Sequence, residues 1–177
     1  MAERYKPEDI TFRPLEAGDL TLLHRWLNLP HMQQWYEPRP VTLQEVTAKF
    51  RPRIEGLQPT FCHIALLKGR PFGKIQSYRN ADYPDYSADI VVEEGVSLDL
   101  FIGEPDLLGQ GLGAPYLQRY IETVVAAVFP AERHVYICHK TGNTRACRAS
   151  EKAGFTRLRD VEEAGHPAVL MVFDIRA

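Results

Sequence analysis

The sequence has few cysteines and little excess charge. Its 177 residues include three cysteines, Cys62, Cys138 and Cys147, and no Cys-x-x-Cys pair. An odd, scattered set of cysteines indicates a reducing compartment rather than a disulfide framework. The formal net charge of -2 excludes a global field that would recruit nucleic acid or an anionic membrane.

Long apolar runs are also missing. No stretch approaches the ~20 apolar residues that a membrane span needs, and the charged start, MAERYKPEDI, lacks the apolar segment of a signal peptide. The six histidines form no His-x-x-x-His pair, so no zinc-binding helix is indicated. We therefore expect a cytoplasmic protein that contacts neither nucleic acid nor membrane and binds no metal.

The patterns that are present predict one mixed α/β domain over residues 1–177. Hydrophobic content of 45% and charged content of 25% are ordinary for a globular domain. Two segments, 31–40 and 80–96, are expected to be loops, the second with a short strand at 90–92. Helices are predicted at 18–28, 42–53, 111–129 and 143–154. Strands are predicted at 10–15, 97–103, 133–139, 155–161 and 168–176, with a hairpin over 60–79.

A glycine-rich turn, GQGLG, stands where the third predicted helix begins. A helix N-terminus carries unpaired N–H donors and partial positive charge, and glycine lets a phosphate approach them closely. Such glycines are also ordinary turn residues, so this signal alone leaves both interpretations open. Neither a P-loop, which needs Gly-Lys-Ser/Thr, nor a Rossmann fingerprint fits the spacing of Gly109, Gly111 and Gly113.

A second segment, NTRACRASEKAGF at 143–155, gives the turn a context. Together the two segments resemble the GNAT acetyltransferase family. The resemblance implies an α/β fold with a mixed, mostly antiparallel central sheet flanked by helices, and acetyl-CoA as co-substrate. It implies that the strand before the turn splays from its neighbour and pairs with pantetheine along 100–102. The residues expected to hold the coenzyme are Phe101, Ile102, Gly109, Gln110, Gly111, Leu112, Gly113, Ala114 and Asn143. Backbone N–H groups near Phe101 and Ile102 would polarise the acetyl carbonyl.

Several segments are more specifically similar to aminoglycoside 6′-N-acetyltransferases: HRWLNLPHMQQWY, LDLFIGEPDLLGQGLG, SEKAGF and HPAVLMV. This resemblance implies a small cationic amine as acceptor, with Asp99 as the residue that contacts the reacting amine. A glutamate run, Glu93 and Glu94, precedes the same strand and is expected to bind the acceptor. Trp35 and Tyr36 are candidates for its wall, with packing of the N-terminal helix as the alternative.

The chemistry supports the role of Asp99 independently. An alkylammonium has a pKa of roughly 10.4 and cannot attack a thioester until it loses a proton. A carboxylate can bind the cation, orient it and accept that proton. Alternation in SLDLFIG puts Leu98, Leu100 and Ile102 on one face and Asp99 on the other, away from the apolar core.

Three positions depart from the family pattern. Ser150 stands where many members have a tyrosine that protonates the leaving thiolate, so Ser150 would act through water or solvent would replace it. Leu108 stands where Arg or Gln is common, and Cys138 where aminoglycoside enzymes have an aspartate. Two alternatives therefore stay open: acylation of another amine or hydroxylamine, such as a siderophore precursor, and a non-catalytic acyl-CoA-binding domain. The sequence allows a monomer or a homodimer.

Overall fold

The computed structural model describes residues 5–175, and these form one seven-stranded sheet flanked by helices. The strand order is β1-β2-β3-β4-β5-β7-β6; β4 and β5 are parallel, and the other neighbouring pairs are antiparallel. The predicted mixed, mostly antiparallel α/β sheet is confirmed. The strands are β1 Ile10–Pro14, β2 Phe61–Leu67, β3 Arg70–Arg79, β4 Val96–Ile102, β5 His134–Lys140, β6 Thr156–Glu163 and β7 His166–Asp174.

The four predicted helices are present, and two begin at the caps that their sequences encode. Thr42 Oγ1 accepts a hydrogen bond from the Glu45 N–H at 3.2 Å, and Glu45 Oε2 accepts one from the Thr42 N–H at 2.7 Å. Asn143 Oδ1 caps the last helix through the Ala146 N–H. The helices are α1 Leu20–Leu27, α2 Pro30–Trp35, α3 Leu43–Ile54, α4 Pro84–Ile90, α5 Gly113–Tyr120, α6 Ala126–Val128 and α7 Thr144–Ala153, and a π-helical segment, Ile121–Val125, joins α5 to α6.

Two segments predicted as loops are helices instead. In α2 and α4 a proline, Pro30 or Pro84, occupies the first turn, where its missing N–H has no helical partner to lose. The predicted strand at 90–92 is wrong, because Ile90 ends α4 and Val91 is left-handed at φ 57°. Burial of Met32 and Ile90 stabilises these short helices, whose polar sequences show no clear helical periodicity.

The two faces of the sheet carry different helices. Leu98 lies in the larger core, which α5 and α7 cover, whereas Phe101 packs with residues of α1 and α3 on the opposite face. The predicted alternation along β4 is therefore confirmed. On that opposite face, α4 packs separately over β5 and β7 through Tyr86 and Ile90. Asp99 lies on this face of β4, half-buried and between the two helical groups.

Candidate active site

The backbone of β4 is open on one side beyond its first residues. In the described part of the chain, β4 pairs with β5 only from Val96 to Leu98, although β3 follows it as far as Ile102. The two parallel strands therefore separate at Asp99. This arrangement leaves a backbone edge where an extended amide-containing chain can pair, as pantetheine would.

The alternation of backbone groups decides which residues face this open edge. The Gly103 N–H donates to Phe72 O at 2.7 Å, so the backbone groups of Phe101, two residues earlier, also face β3. Of the N–H groups near Phe101 and Ile102 that were predicted to polarise the acetyl carbonyl, the Phe101 N–H therefore faces β3. Leu100 and Ile102 face the open side, and His31 Nε2 donates to the Ile102 carbonyl at 3.0 Å.

The glycine turn after β4 has the conformation that glycine permits. Gly109 and Gly111 have φ of 71° and 79°, and no heavy atom would lie within 4 Å of a Cβ on Gly111. At Gly113 a Cβ would lie 2.8 Å from the Ala149 Cβ, because α5 packs tightly against α7 there. The turn is thus open toward solvent and close-packed behind. The buried side chains of Leu112 and Ala114 anchor it, and Gln110 lies half-buried within it.

Arg145 supplies a cation beside the turn, and no motif in the sequence had pointed to this residue. The Arg145 Nη1 atom lies 3.8 Å from the position that a Cβ on Gly109 would take. Its side chain extends from the exposed first turn of α7, just after the Asn143 cap. A guanidinium next to open N–H donors compensates for the apolar Leu108, at which the family often has a basic or amide side chain.

Ser150 is fully buried, and its hydroxyl is paired with a histidine that the sequence did not single out. The Ser150 Oγ lies 2.7 Å from His139 Nε2, which joins α7 to the separated end of β5. Burial lowers the pKa of His139 to about 4, so its imidazole is neutral at pH 7. His139 itself is half-buried. Neighbouring Cys138 packs on the other face of the sheet, so these two residues form no dyad.

Asp99 is held by a glutamine on the neighbouring strand. Gln76 pairs with Asp99 in the sheet register, and its Nε2 donates to Asp99 Oδ2 at 2.7 Å. The Gln76 Oε1 atom accepts from Arg53 Nη1 at 3.0 Å and from the Nζ of Lys74, whose side chain is completely buried. A polar network thus connects the predicted acceptor-binding carboxylate to two cations on β3 and α3.

A second carboxylate, Glu163 at the end of β6, faces the same region from the α4 side. Burial and the charge of Asp99 raise the pKa of Glu163 to about 7, with Asp89 adding to the increase and Lys140 opposing it. Tyr86 packs nearby, and its hydroxyl donates to Cys138 Sγ at 4.0 Å. A carboxylate from β6 therefore lies on the side where Cys138 replaces the expected aspartate.

Trp35 and Tyr36, the candidates for an aromatic wall of the acceptor site, lie in different environments. Tyr36 packs edge-on against Phe101 with ring centroids 5.1 Å apart, and Lys49 Nζ lies 5.5 Å from the centroid of the tyrosine ring. Burial and the nearby charge of Asp99 raise the pKa of Tyr36. Trp35 is half-buried at the end of α2. Tyr36 is thus the one of the two for which the structure records a link to Asp99.

Glu93 and Glu94 lie at the other end of β4. Both are exposed, and Glu94 Oε1 is 3.5 Å from His134 Nδ1, at the start of β5. At ~3.3 Å per residue along a strand, the strand positions from Val96 to Asp99 span about 10 Å, and both glutamates precede Val96. Their part in acceptor binding stays a prediction.

Among residues 5–175, no group of three or more His, Cys, Asp or Glu side chains could hold a metal ion. In the same part of the chain, no helix has the length and apolar character to cross a membrane.

The separated parallel strands, the open glycine turn and the carboxylate between them define an acetyltransferase of the GNAT type. The sequence matches the Acetyltransferase (GNAT) domain family over residues 16–163, and the chain belongs to this family. Acetyl-CoA is therefore its co-substrate.

Within this family, the chain is similar to enzymes that act on aminoglycosides. The chain is 31% identical over 169 residues to aminoglycoside N(6')-acetyltransferase type 1 of Klebsiella pneumoniae, covering 93% of this chain and 83% of the relative. The structure of AAC(6')-Ib with paromomycin and acetyl-CoA superposes with a TM-score of 0.85 at 29% identity, covering 95% of this chain and 94% of the other. A structure of the same enzyme with coenzyme A and kanamycin gives 0.84 at 29% identity, covering 94% and 95%.

Proposed function

We propose that this protein transfers the acetyl group of acetyl-CoA to a primary amine of an aminoglycoside, namely the 6′-amine. The observation that carries the proposal is the position of Asp99. Its carboxylate lies half-buried where β4 and β5 separate, on the face opposite the α5–α7 core. Likeness to the aminoglycoside enzymes over more than nine-tenths of the chain supports this acceptor class.

In the proposed reaction, Asp99 binds the acceptor ammonium and takes its proton, directly or through water. The free amine then attacks the thioester carbon, so that an N–C bond forms, the C–S bond breaks and the nitrogen loses its second proton to solvent. No acyl-enzyme is needed. The N–H groups of Leu100 and Ile102 face the open edge and are the donors available to polarise the carbonyl oxygen, a contribution often worth ~3 kcal/mol per donor.

Protonation of the leaving thiolate has no tyrosine to supply the proton at position 150, so another source is needed. Ser150 is buried and its hydroxyl is paired with His139, so we propose that Ser150 orients this imidazole rather than acting as the acid itself. A neutral imidazole is a hydrogen-bond donor but a weak acid. The proton on the thiolate therefore comes from solvent.

The coenzyme phosphates are proposed to bind at Gly109–Gly113, on backbone N–H donors of the turn and the N-terminus of α5. Arg145 would pair with them from α7. The fit is supported by the positive φ angles and by the clear space in front of Gly111. Asn143 would contribute indirectly, because its cap fixes the first turn of α7, which carries Arg145.

The carboxylates on the α4 side suit an acceptor with several ammonium groups. Glu163 and Asp89 lie within electrostatic range of each other, and Glu163 also senses Asp99. We propose that Glu163 binds a second ammonium of the aminoglycoside, in place of the aspartate that Cys138 lacks. Tyr36 is proposed to line the opposite side of the reacting amine.

A thiol-release assay with acetyl-CoA and a panel of amines tests this function. Release with kanamycin is expected, and Asp99→Asn should reduce kcat by at least about a hundredfold while leaving the Kd for acetyl-CoA unchanged. Asp82→Asn, an exposed carboxylate outside the site, is the matched control. Release only with other amines or hydroxylamines would favour the alternative acceptor. Coenzyme binding without release for any acceptor would favour a binding domain.

A further inference from the structure

Lys74 is the most unusual charged residue of the molecule. Its side chain is completely buried on β3, between the sheet and α3. Lysine is almost never fully buried without a partner that compensates its charge. The recorded contacts of Lys74 Nζ are the Gln76 carbonyl oxygen and the face of Phe50, whose ring centroid is 5.0 Å away.

The charged groups around Lys74 do not form a simple ion pair. Arg53 and Lys49 face it from α3 and disfavour its ammonium form, whereas Asp99 on β4 favours it. Burial is the largest influence and lowers the pKa of Lys74 to about 8. The fold therefore retains a cation whose burial is unfavourable. Core packing alone does not explain why a lysine occupies this position.

The contacts of Gln76 supply that explanation. Its carbonyl oxygen accepts from Lys74 Nζ, from Arg53 Nη1 at 3.0 Å and from the Cys62 thiol at 3.5 Å. Lysine and arginine donate hydrogen bonds but cannot accept them. The side-chain amide must therefore turn its oxygen toward the cations and its NH₂ group toward Asp99.

This orientation fixes the carboxylate. Gln76 Nε2 donates to Asp99 Oδ2 at 2.7 Å, which occupies one of the two carboxylate oxygens and sets the plane of the group. Asp99 Oδ1 then remains for the acceptor amine. A flipped amide would present its oxygen to the carboxylate, and the repulsion would turn Asp99 away.

We propose that Lys74 is a positioning residue for the transfer: with Arg53 it locks the Gln76 amide, which holds Asp99 in the orientation that receives the acceptor amine. The inference rests on the proposed role of Asp99. Because Lys74 is completely buried, it acts through Gln76 rather than by contact with the acceptor. The acetyl-CoA site on the β4 edge and the glycine turn does not include it.

A double-mutant cycle on kcat with kanamycin tests the proposal. Lys74→Met should lower kcat on the order of tenfold, with smaller changes in KM and with the Kd for acetyl-CoA within about twofold of wild type. Gln76→Leu should lower kcat at least as much. Because Lys74 acts through Gln76, the double variant should stay within about twofold of Gln76→Leu alone. Lys68→Met, an exposed lysine in the β2–β3 turn, is the matched control.

Three results would overturn the inference. A kcat for Lys74→Met within twofold of wild type would show that the ammonium does not influence Asp99. Multiplicative losses in the double variant would show that Lys74 does not act through Gln76. A Lys74→Met protein that is less stable than wild type, or does not fold, would show that the ammonium supports the core instead. This stability result is informative even if the wild type acetylates no aminoglycoside, an outcome that would refute the proposed function separately.

Discussion

Replacing Lys74 with methionine should stabilise the fold at neutral pH. Methionine has a similar length, fills the same space and can place its sulfur against Phe50. The substitution removes a buried cation whose pKa falls from 10.5 to about 8 on folding, because burial disfavours the charge. At about 1.4 kcal/mol for each pH unit between the two values, the charge costs about 3 kcal/mol.

The direction of the pH dependence follows from the same two pKa values. Below pH 8 both the folded and the unfolded protein hold the proton, and the folded protein bears the whole cost. Between pH 8 and 10.5 the folded protein releases the proton before the unfolded chain does, so wild-type stability rises relative to the variant. The advantage of Lys74→Met should therefore be largest at pH 7 and should diminish toward pH 10.

Urea unfolding followed by circular dichroism at pH 7 and pH 10 measures this difference. For a domain of this size, about 3 kcal/mol corresponds to about 9 °C in Tm. Lys68→Met should stay within about 0.5 kcal/mol of wild type at pH 7. A destabilised Lys74→Met at pH 7, or an advantage that does not diminish with pH, would refute the account of Lys74 as an unfavourable buried cation.

Three further changes test other parts of the site. Arg145→Ala should weaken acetyl-CoA binding about tenfold by calorimetry, since a charge-assisted phosphate contact is lost. The control Arg157→Ala, on β6, should leave the affinity unchanged. An Arg145→Ala affinity equal to that of wild type would exclude Arg145 from the phosphate site. In wild type, KM for kanamycin should fall as pH rises through about 7, because Glu163 loses its proton there; burial, Asp99 and Asp89 raise its pKa, and Lys140 opposes them. Glu163→Gln should raise KM and abolish this part of the pH dependence. An unchanged pH profile in Glu163→Gln would show that Glu163 does not bind the acceptor. Ser150→Ala should lower kcat by less than about tenfold, and a loss as large as that of Asp99→Asn would restore Ser150 as the acid.

The strand carrying Asp99 could be predicted from the sequence because its alternating pattern is contained within seven consecutive residues. Period-two alternation assigned Asp99 and Leu98 to opposite faces without any knowledge of neighbouring strands. The glycine turn could also be recognised from a short segment. Its interpretation as a phosphate-binding turn depended on the family resemblance of the segment at 143–155. The caps at Thr42 and Asn143 needed only three or four residues of context.

The partners of Asp99 could not be predicted, because they depend on register and strand order. Gln76 lies beside Asp99 through the pairing of β3 with β4, a relation that one residue of slippage would destroy. Glu163 approaches from β6, the edge strand, which follows β7 rather than β5 in the sheet. Lys74 could not be singled out either, because β3 also contains Arg70, Gln76, Ser77 and Arg79, and only the packed structure shows that Lys74 is buried.

Nearness in sequence is also a weak guide to nearness in space along the same strand. Glu93 and Glu94 were expected to bind the acceptor because they immediately precede the strand with Asp99. Three strand positions, from Val96 to Asp99, already span about 10 Å, whereas the same positions in a helix would span about 5 Å. Short-range acidity in a sequence therefore supports a shared site only where the intervening backbone is compact.

The charges near Asp99 differ between its two sides, and this asymmetry bears on how an acceptor can bind. Lys74, Arg53 and Lys49 lie on the β3–α3 side, whereas Glu163 and Asp89 lie on the β6–α4 side, where Lys140 is the opposing cation. An ammonium on the first side is repelled by these cations at a distance, because Lys74 is buried, while one on the second side meets carboxylates. An acceptor with several ammonium groups therefore has one favourable direction across the site: its reacting amine at Asp99 and its remaining charges toward α4. Under the proposed function, a monoamine would gain little from this gradient, so we expect the charges that orient a polyamine also to favour it over simpler amines.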